Sequence, residues 1–191
     1  TLWRCFAASA EATYPSLRKM VWHNFELLKE ALKLDAQAGF ENSPHTADLI
    51  CASLPDKFDI MRVHVGGDYF SKKYLQAWIE VAKRNPEKIF YSYSKSLHFF
   101  KEFALPENLV LTASRGGKYD DMIELHGWKE ALVVYSEQEA IDKGLEVDHD
   151  DTHAAFGKEN FALLIHGTQP KGSAASQALQ VLKRKRKEVA A

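Results

Sequence analysis

Apolar residues recur at helical spacing between Pro15 and Leu34. Leu17, Met20, Val21, Leu27, Leu28, Ala31 and Leu32 form one stripe, with Asn24 its one polar member. Pro15 suits a first helical turn and Gly39 lies just past the end, so a helix over 15–34 is predicted. A weaker helical pattern covers Thr46–Ser53, bounded by Pro44 and Pro55. "DIMRVHV", Asp59–Val65, then reads as a strand. Ser71 is placed to cap a helix whose apolar face is Tyr74, Leu75, Trp78, Ile79 and Ala82, and Asn85-Pro86 ends it. Further apolar runs predict strands at Lys88–Ser94, Asn108–Ser114, Ala131–Ser136 and Phe161–Gly167. A short segment near Leu97–Phe103, a helix through "EQEAIDKG" and a last helix from Ser173 to about Lys187 complete the reading.

Strands this apolar belong to a sheet covered on both faces. Alternation of strand and helix predicts an α/β fold with a mostly parallel sheet, either doubly wound or a partial (β/α) barrel. At 191 residues, with 46% hydrophobic and 27% charged residues, one domain spanning 1–191 is expected, with 183–191 as a basic helix end or tail.

The net charge of −1 gives no global field for nucleic acid or membrane. The charge is uneven: "LKRKRKE" is basic and "EVDHDD" acidic. No run of about 20 apolar residues predicts a membrane span. Two cysteines, Cys5 and Cys51, do not make a disulfide framework, so the cytoplasm is the default compartment. The opening Thr1-Leu2-Trp3-Arg4-Cys5 lacks an initiator Met, and further sequence is expected before Thr1.

In such folds ligands bind beyond the C-terminal ends of the strands. The predicted exits are "HVGGD", "YSYSKS", "TASRGG", "VVYSE" and "LIHGTQPKGS", and three of them carry glycine. Gly66-Gly67-Asp68 reads either as a tight turn capped by Asp68 or as a backbone cradle with a carboxylate for an amine or hydroxyl. Lys95, Arg115 and His166 fall on the same expected edge. Gly167–Ser173 precedes a helix and would suit an anion with Lys171, or be a loop and cap. No P-loop, G-x-G-x-x-G, H-E-x-x-H, C-x-x-C or G-x-S-x-G motif is present.

Asp148, His149, Asp150, Asp151 and His153 form the densest ionisable cluster. His149 and His153, four apart, would share a helix face, and the set suits zinc, iron or manganese in a metal-dependent hydrolase or nuclease-like enzyme. His64 and His166 lie in or beside strands and would extend it to a composite metal site. The competing reading is a solvated acidic loop. Lys183–Lys187 reads as a nucleic-acid contact of a non-catalytic binding module, or as a solvated helix end.

"CFAASAEATYPSLRKMVWHNFELL", "RVHVGGDYFSKKYLQAWIEVAKRNP", "FYSYSKSL", "VDHDDTHAA" and "FALLIHGTQPKGS" together resemble the phage and plasmid gene product 88 family over nearly the whole chain. The resemblance implies further cysteines upstream of Thr1, with Cys5 the last of the group. The layout is also similar to that of radical-SAM proteins. There a three-cysteine loop holds a 4Fe–4S cluster, and a glycine-rich strand exit meets the amino group of S-adenosylmethionine. Gly66-Gly67-Asp68 stands at that place, with Asp for the usual Glu. The resemblance thus implies a phage-type iron–sulfur protein in the host cytoplasm. Cys5 would be one cluster ligand. Gly66, Gly67 and Asp68 would contact a cofactor or substrate, with Lys95, Arg115 and His166 on the same face.

Overall fold

The computed structural model describes residues 5–189. Of the basic run, the side chains of Lys185, Arg186 and Lys187 lie outside the described residues, as do Thr1–Arg4.

The chain begins with three helices, α1 (Phe6–Thr13), α2 (Pro15–Gln37) and α3 (Pro44–Ser53). Strands and helices then alternate: β1 (Ile60–Arg62), α4 (Lys72–Arg84), β2 (Ile89–Ser94), α5 (Leu97–Phe100), β3 (Leu109–Ser114) and α6 (Asp121–His126). They continue as β4 (Glu130–Val134), α7 (Glu137–Asp142), β5 (Glu146–Val147), α8 (Thr152–Ala155), β6 (Phe161–Leu164) and α9 (Ala174–Val189).

The six strands form one sheet in the order β1-β2-β3-β4-β6-β5, every pair parallel, curled into a half-barrel. The α/β fold with a partial barrel is therefore as the sequence predicts. β2 shows how the faces divide. Phe90, Ser92 and Ser94 are buried on the outer side, where Phe90 meets Trp78 of α4 edge to face at 6.0 Å. α4 buries Leu75, Ala77, Val81 and Ala82 there, each larger side chain contributing roughly 1.5–3 kcal/mol. Ser71 caps it, accepting the Tyr74 N–H at 3.2 Å.

Tyr91 and Tyr93 alternate with these residues and point to the inner face. α8 packs there against β2 and β3. The reversed strand order explains its position. Steps from β1 to β4 advance in one direction, but β5 to β6 steps back, and a right-handed crossover running backwards delivers its helix to the opposite face.

Lys129 fastens α8 in place. Its ammonium donates to the carbonyls of His153 (2.8 Å), Ala154 (2.7 Å) and Gly157 (2.9 Å), at and just past the C-terminus of α8, where a cation is favoured.

Three expectations are corrected, and the start of α3 has a cap that its own sequence does not announce. β1 is three residues rather than Asp59–Val65, because His64 turns to φ +65° and breaks the extended chain. The Pro15 helix extends to Gln37, and its stripe is buried only in the C-terminal half; Met20 and Val21 are 53% and 37% exposed. The N-terminus of α3 is capped from a distance: buried Asp35 accepts the N–H groups of His45 and Thr46 and the Thr46 hydroxyl. Burial opposes ionisation of that carboxyl, yet the bonds from Thr46 and His45 hold it below the usual range. Finally, His149 and His153 do not share a helix, since α8 begins only at Thr152.

Candidate functional site

A cavity of about 420 Å³ opens at the C-terminal ends of the strands. The β1 exit from Arg62 to Asp68 forms one wall. Tyr93 and Lys95, Ser114, Val133, and Leu163 with Ile165 and His166 carry the lining round the half-barrel. α1 and the residue before it lie across it, contributing Ala7, Ala8 and Glu11, and Cys5. A larger hollow of about 520 Å³ lies at the N-terminal ends of β5 and β6, where it meets no strand exit.

The two glycines have different reasons. A Cβ on Gly66 would come within 3.2 Å of the Ala7 side chain, so Gly66 lets α1 approach the β1 exit. Gly67 has φ +92° and open space around it, so its need is conformational. Asp68 is a clasp. Its Oδ1 accepts from the Tyr69 N–H and the Ser94 hydroxyl, each at 2.7 Å. Its Oδ2 accepts from the N–H groups of Lys95 (2.7 Å) and Ser96 (3.2 Å). A carboxylate has about four acceptor sites, and here the protein's own donors take them. The amine-holding role expected for Asp68 gives way to one of joining two strand exits.

Lys95 ties the next pair of exits. Its Nζ donates to the carbonyls of Ser114 (2.7 Å) and Arg115 (2.8 Å), while burial lowers its pKa against the pull of Asp120, Asp68 and Cys5. Arg115, expected on the same face, is absent from the cavity wall. It pairs with Glu130 and Glu124, which raise its pKa, in a separate hollow of about 250 Å³. His166 does line the cavity; burial, and then the Arg62 charge, lower its pKa. Lys171 is exposed, and the loop before α9 is held by buried Gln169, whose Nε2 donates to the His166 carbonyl at 2.8 Å.

The acidic cluster disperses. Asp148 is buried and accepts the N–H groups of Asp150 and Ala154. His149 is exposed, and Asp150 accepts the Thr152 N–H at 3.1 Å. His153 stacks on Phe161 and lies 3.4 Å from Glu146. Asp151 turns inward to the Tyr91 hydroxyl (2.9 Å), the Tyr93 hydroxyl (2.7 Å) and Arg62 (3.1 Å). Among the described residues no three His, Cys, Asp or Glu side chains gather as a metal site. The composite site with His64 and His166 is likewise not assembled.

Sequence reasoning passed over three wall residues. In the sequence Arg62 and Tyr93 stand as strand positions, and His64 as a metal ligand alone. The signal was present: Arg62, Tyr91 and Tyr93 are polar or amphipathic residues recurring on one face of otherwise apolar strands. His64 Nε2 lies 2.9 Å from the Tyr74 hydroxyl, and burial lowers its pKa to about 4.

Cys5 is exposed at the cavity rim, directly before α1. Cys51 sits on α3 against the core beneath α4. No helix among the described residues is long and apolar enough to cross a membrane.

Comparison with known proteins agrees with the resemblance to the gene product 88 family and adds nothing for the radical-SAM-like layout. A relative described as Gene 88 protein, from Mycobacterium phage L5, is 27% identical over 165 residues, or 84% of this chain. The chain spans 62% of that relative's length. No solved structure matches it. The family model for Gene product 88 matches residues 2–186, nearly the whole chain, and the protein belongs to that family.

Proposed function

We propose that this half-barrel is the ligand-binding core of an iron–sulfur protein, with its small-molecule site in the mouth cavity and Cys5 as one cluster ligand. The observation that carries the reading is the position of Cys5: an accessible thiol on the rim of the same cavity that Gly66, Gly67, Lys95 and His166 line. Thiolates are the usual ligands of such clusters. Cys51 packs on the far side of the sheet, so the described residues supply one ligand, and the reading requires the others from sequence before Thr1.

A 4Fe–4S cluster bound there would supply electron transfer to a molecule in the cavity. This chain's own residues would bind and orient that molecule. S-adenosylmethionine is the cofactor the layout suggests. Its amino group would meet backbone at the Gly66-Gly67 turn, because the Asp68 carboxylate is already taken.

The test is iron and sulfide content after anaerobic reconstitution of the full-length protein and its Cys5→Ser variant. Brown protein that loses most of its iron on the substitution is the expected result. Colourless, iron-free parent protein would overturn the reading.

A further inference from the structure

Arg62 leaves β1 on the inner face and reaches the cavity wall. One terminal nitrogen donates to Asp151 Oδ2 at 3.1 Å, and the guanidinium carbon lies 4.6 Å from the centre of the Tyr93 ring. The group is thus fixed on two sides. Its Nε is buried with no hydrogen-bond partner. A guanidinium has five N–H donors, and one buried and unsatisfied is costly in a settled core. The ion pair explains Asp151. It does not explain an arginine held with donors left over, 28% exposed at a cavity.

The surrounding backbone points the same way. The described residues other than glycine with positive φ are Ser43, His64 and Asp151. Two of the three belong to this spot: Asp151, at φ +66°, is the partner of Arg62, and His64, at φ +65°, follows it by two residues. Strain of this kind collects where a fold holds groups for a ligand. Lys95 and His166 lie on the same walls. The cavity's size falls in the range of small-molecule sites.

We propose that Arg62 is the anion-binding residue of the mouth cavity, and that the molecule taken there carries an oxyanion, a carboxylate or a phosphate. Planar guanidinium groups match both bidentately. The proposal rests on the mouth being the ligand site, and not on the cluster.

The experiment is an NMR titration of the full chain, following arginine Nε–Hε signals, with inorganic phosphate in one arm and acetate in the other. The Arg62 signal, assigned by its loss in Arg62→Lys, shifts saturably with at least one anion, and the responding arm names the class. The apparent affinity for that anion falls at least tenfold in Arg62→Gln. An Arg62 signal indifferent to both anions overturns the proposal, as does equal affinity in Arg62→Gln. Iron-free protein that still binds anion through Arg62 defeats the cluster reading alone. Iron-loaded protein whose Arg62 ignores both anions defeats this proposal alone.

Discussion

Asp68 accepts the backbone N–H of Lys95 at 2.7 Å, across 27 residues of sequence, and so ties the exit of β1 to the exit of β2. The same carboxylate holds Tyr69, Ser94 and Ser96, which makes it a structural element of the cavity wall. Asp68→Ala should lower stability by about 2–4 kcal/mol, since several donors lose a charged acceptor together. Asp68→Asn, which keeps one acceptor oxygen, should cost less. Urea unfolding without ligand checks both. An Asp68→Ala variant as stable as the parent would contradict the clasp.

Substitution should separate the two glycines. Gly66→Ala brings a Cβ to 3.2 Å from Ala7 and should loosen α1, seen as faster amide exchange over Phe6–Thr13. Gly67→Ala meets no neighbour but forces φ +92° on a side-chain-bearing residue, at a cost of about 1–3 kcal/mol. Its penalty should appear in global stability while α1 exchange stays nearer the parent's.

Folded His64 titrates near pH 4, against 6.5 for a free imidazole, because burial disfavours its charged form. Between those values the unfolded chain binds the extra proton and the folded chain does not. Stability should therefore be full above about pH 6.5 and fall as the pH drops towards 4, by roughly 3 kcal/mol from this residue. His166 and His98, also lowered by burial, act in the same direction. His64→Asn tolerates the positive φ and should flatten the slope between pH 4 and 6.5. An unchanged slope would remove His64 from the account.

Lys129→Met keeps the stem but removes the ammonium that holds three carbonyls at the end of α8. A loss of about 2–4 kcal/mol in urea unfolding is expected. Gly157→Ala should be as damaging, since its Cβ would stand 2.7 Å from the His153 carbonyl oxygen. Tolerance of both would show that α8 is held by packing alone.

α4 and β2 were legible because each carries a full period: Leu75, Trp78, Ile79 and Ala82 at helical spacing, and Phe90, Ser92 and Ser94 on one face of a strand. β5 and α8, two and four residues long, carry none. The stripe of α2 misled in part, since Met20 and Val21 continue the pattern yet stay exposed. At the site, glycine at strand exits marked the right edge of the sheet. The donors that take up Asp68 lie mostly 26–28 residues away, and those around Asp151 lie 58–89 away, so only the folded chain pairs them.

The backward step from β5 to β6 also sets an order of assembly. β1, β2 and β3 can pair as soon as Ser114 is made, but Asp151, 89 positions further along the chain than Arg62, reaches it only once α8 has docked. Closing so long a loop is slow, so the inner tyrosines should wait for their acceptor while the outer layer is already formed. The pocket is then the last part of the molecule to mature, and any fragment ending before Asp151 would carry a half-barrel with no floor.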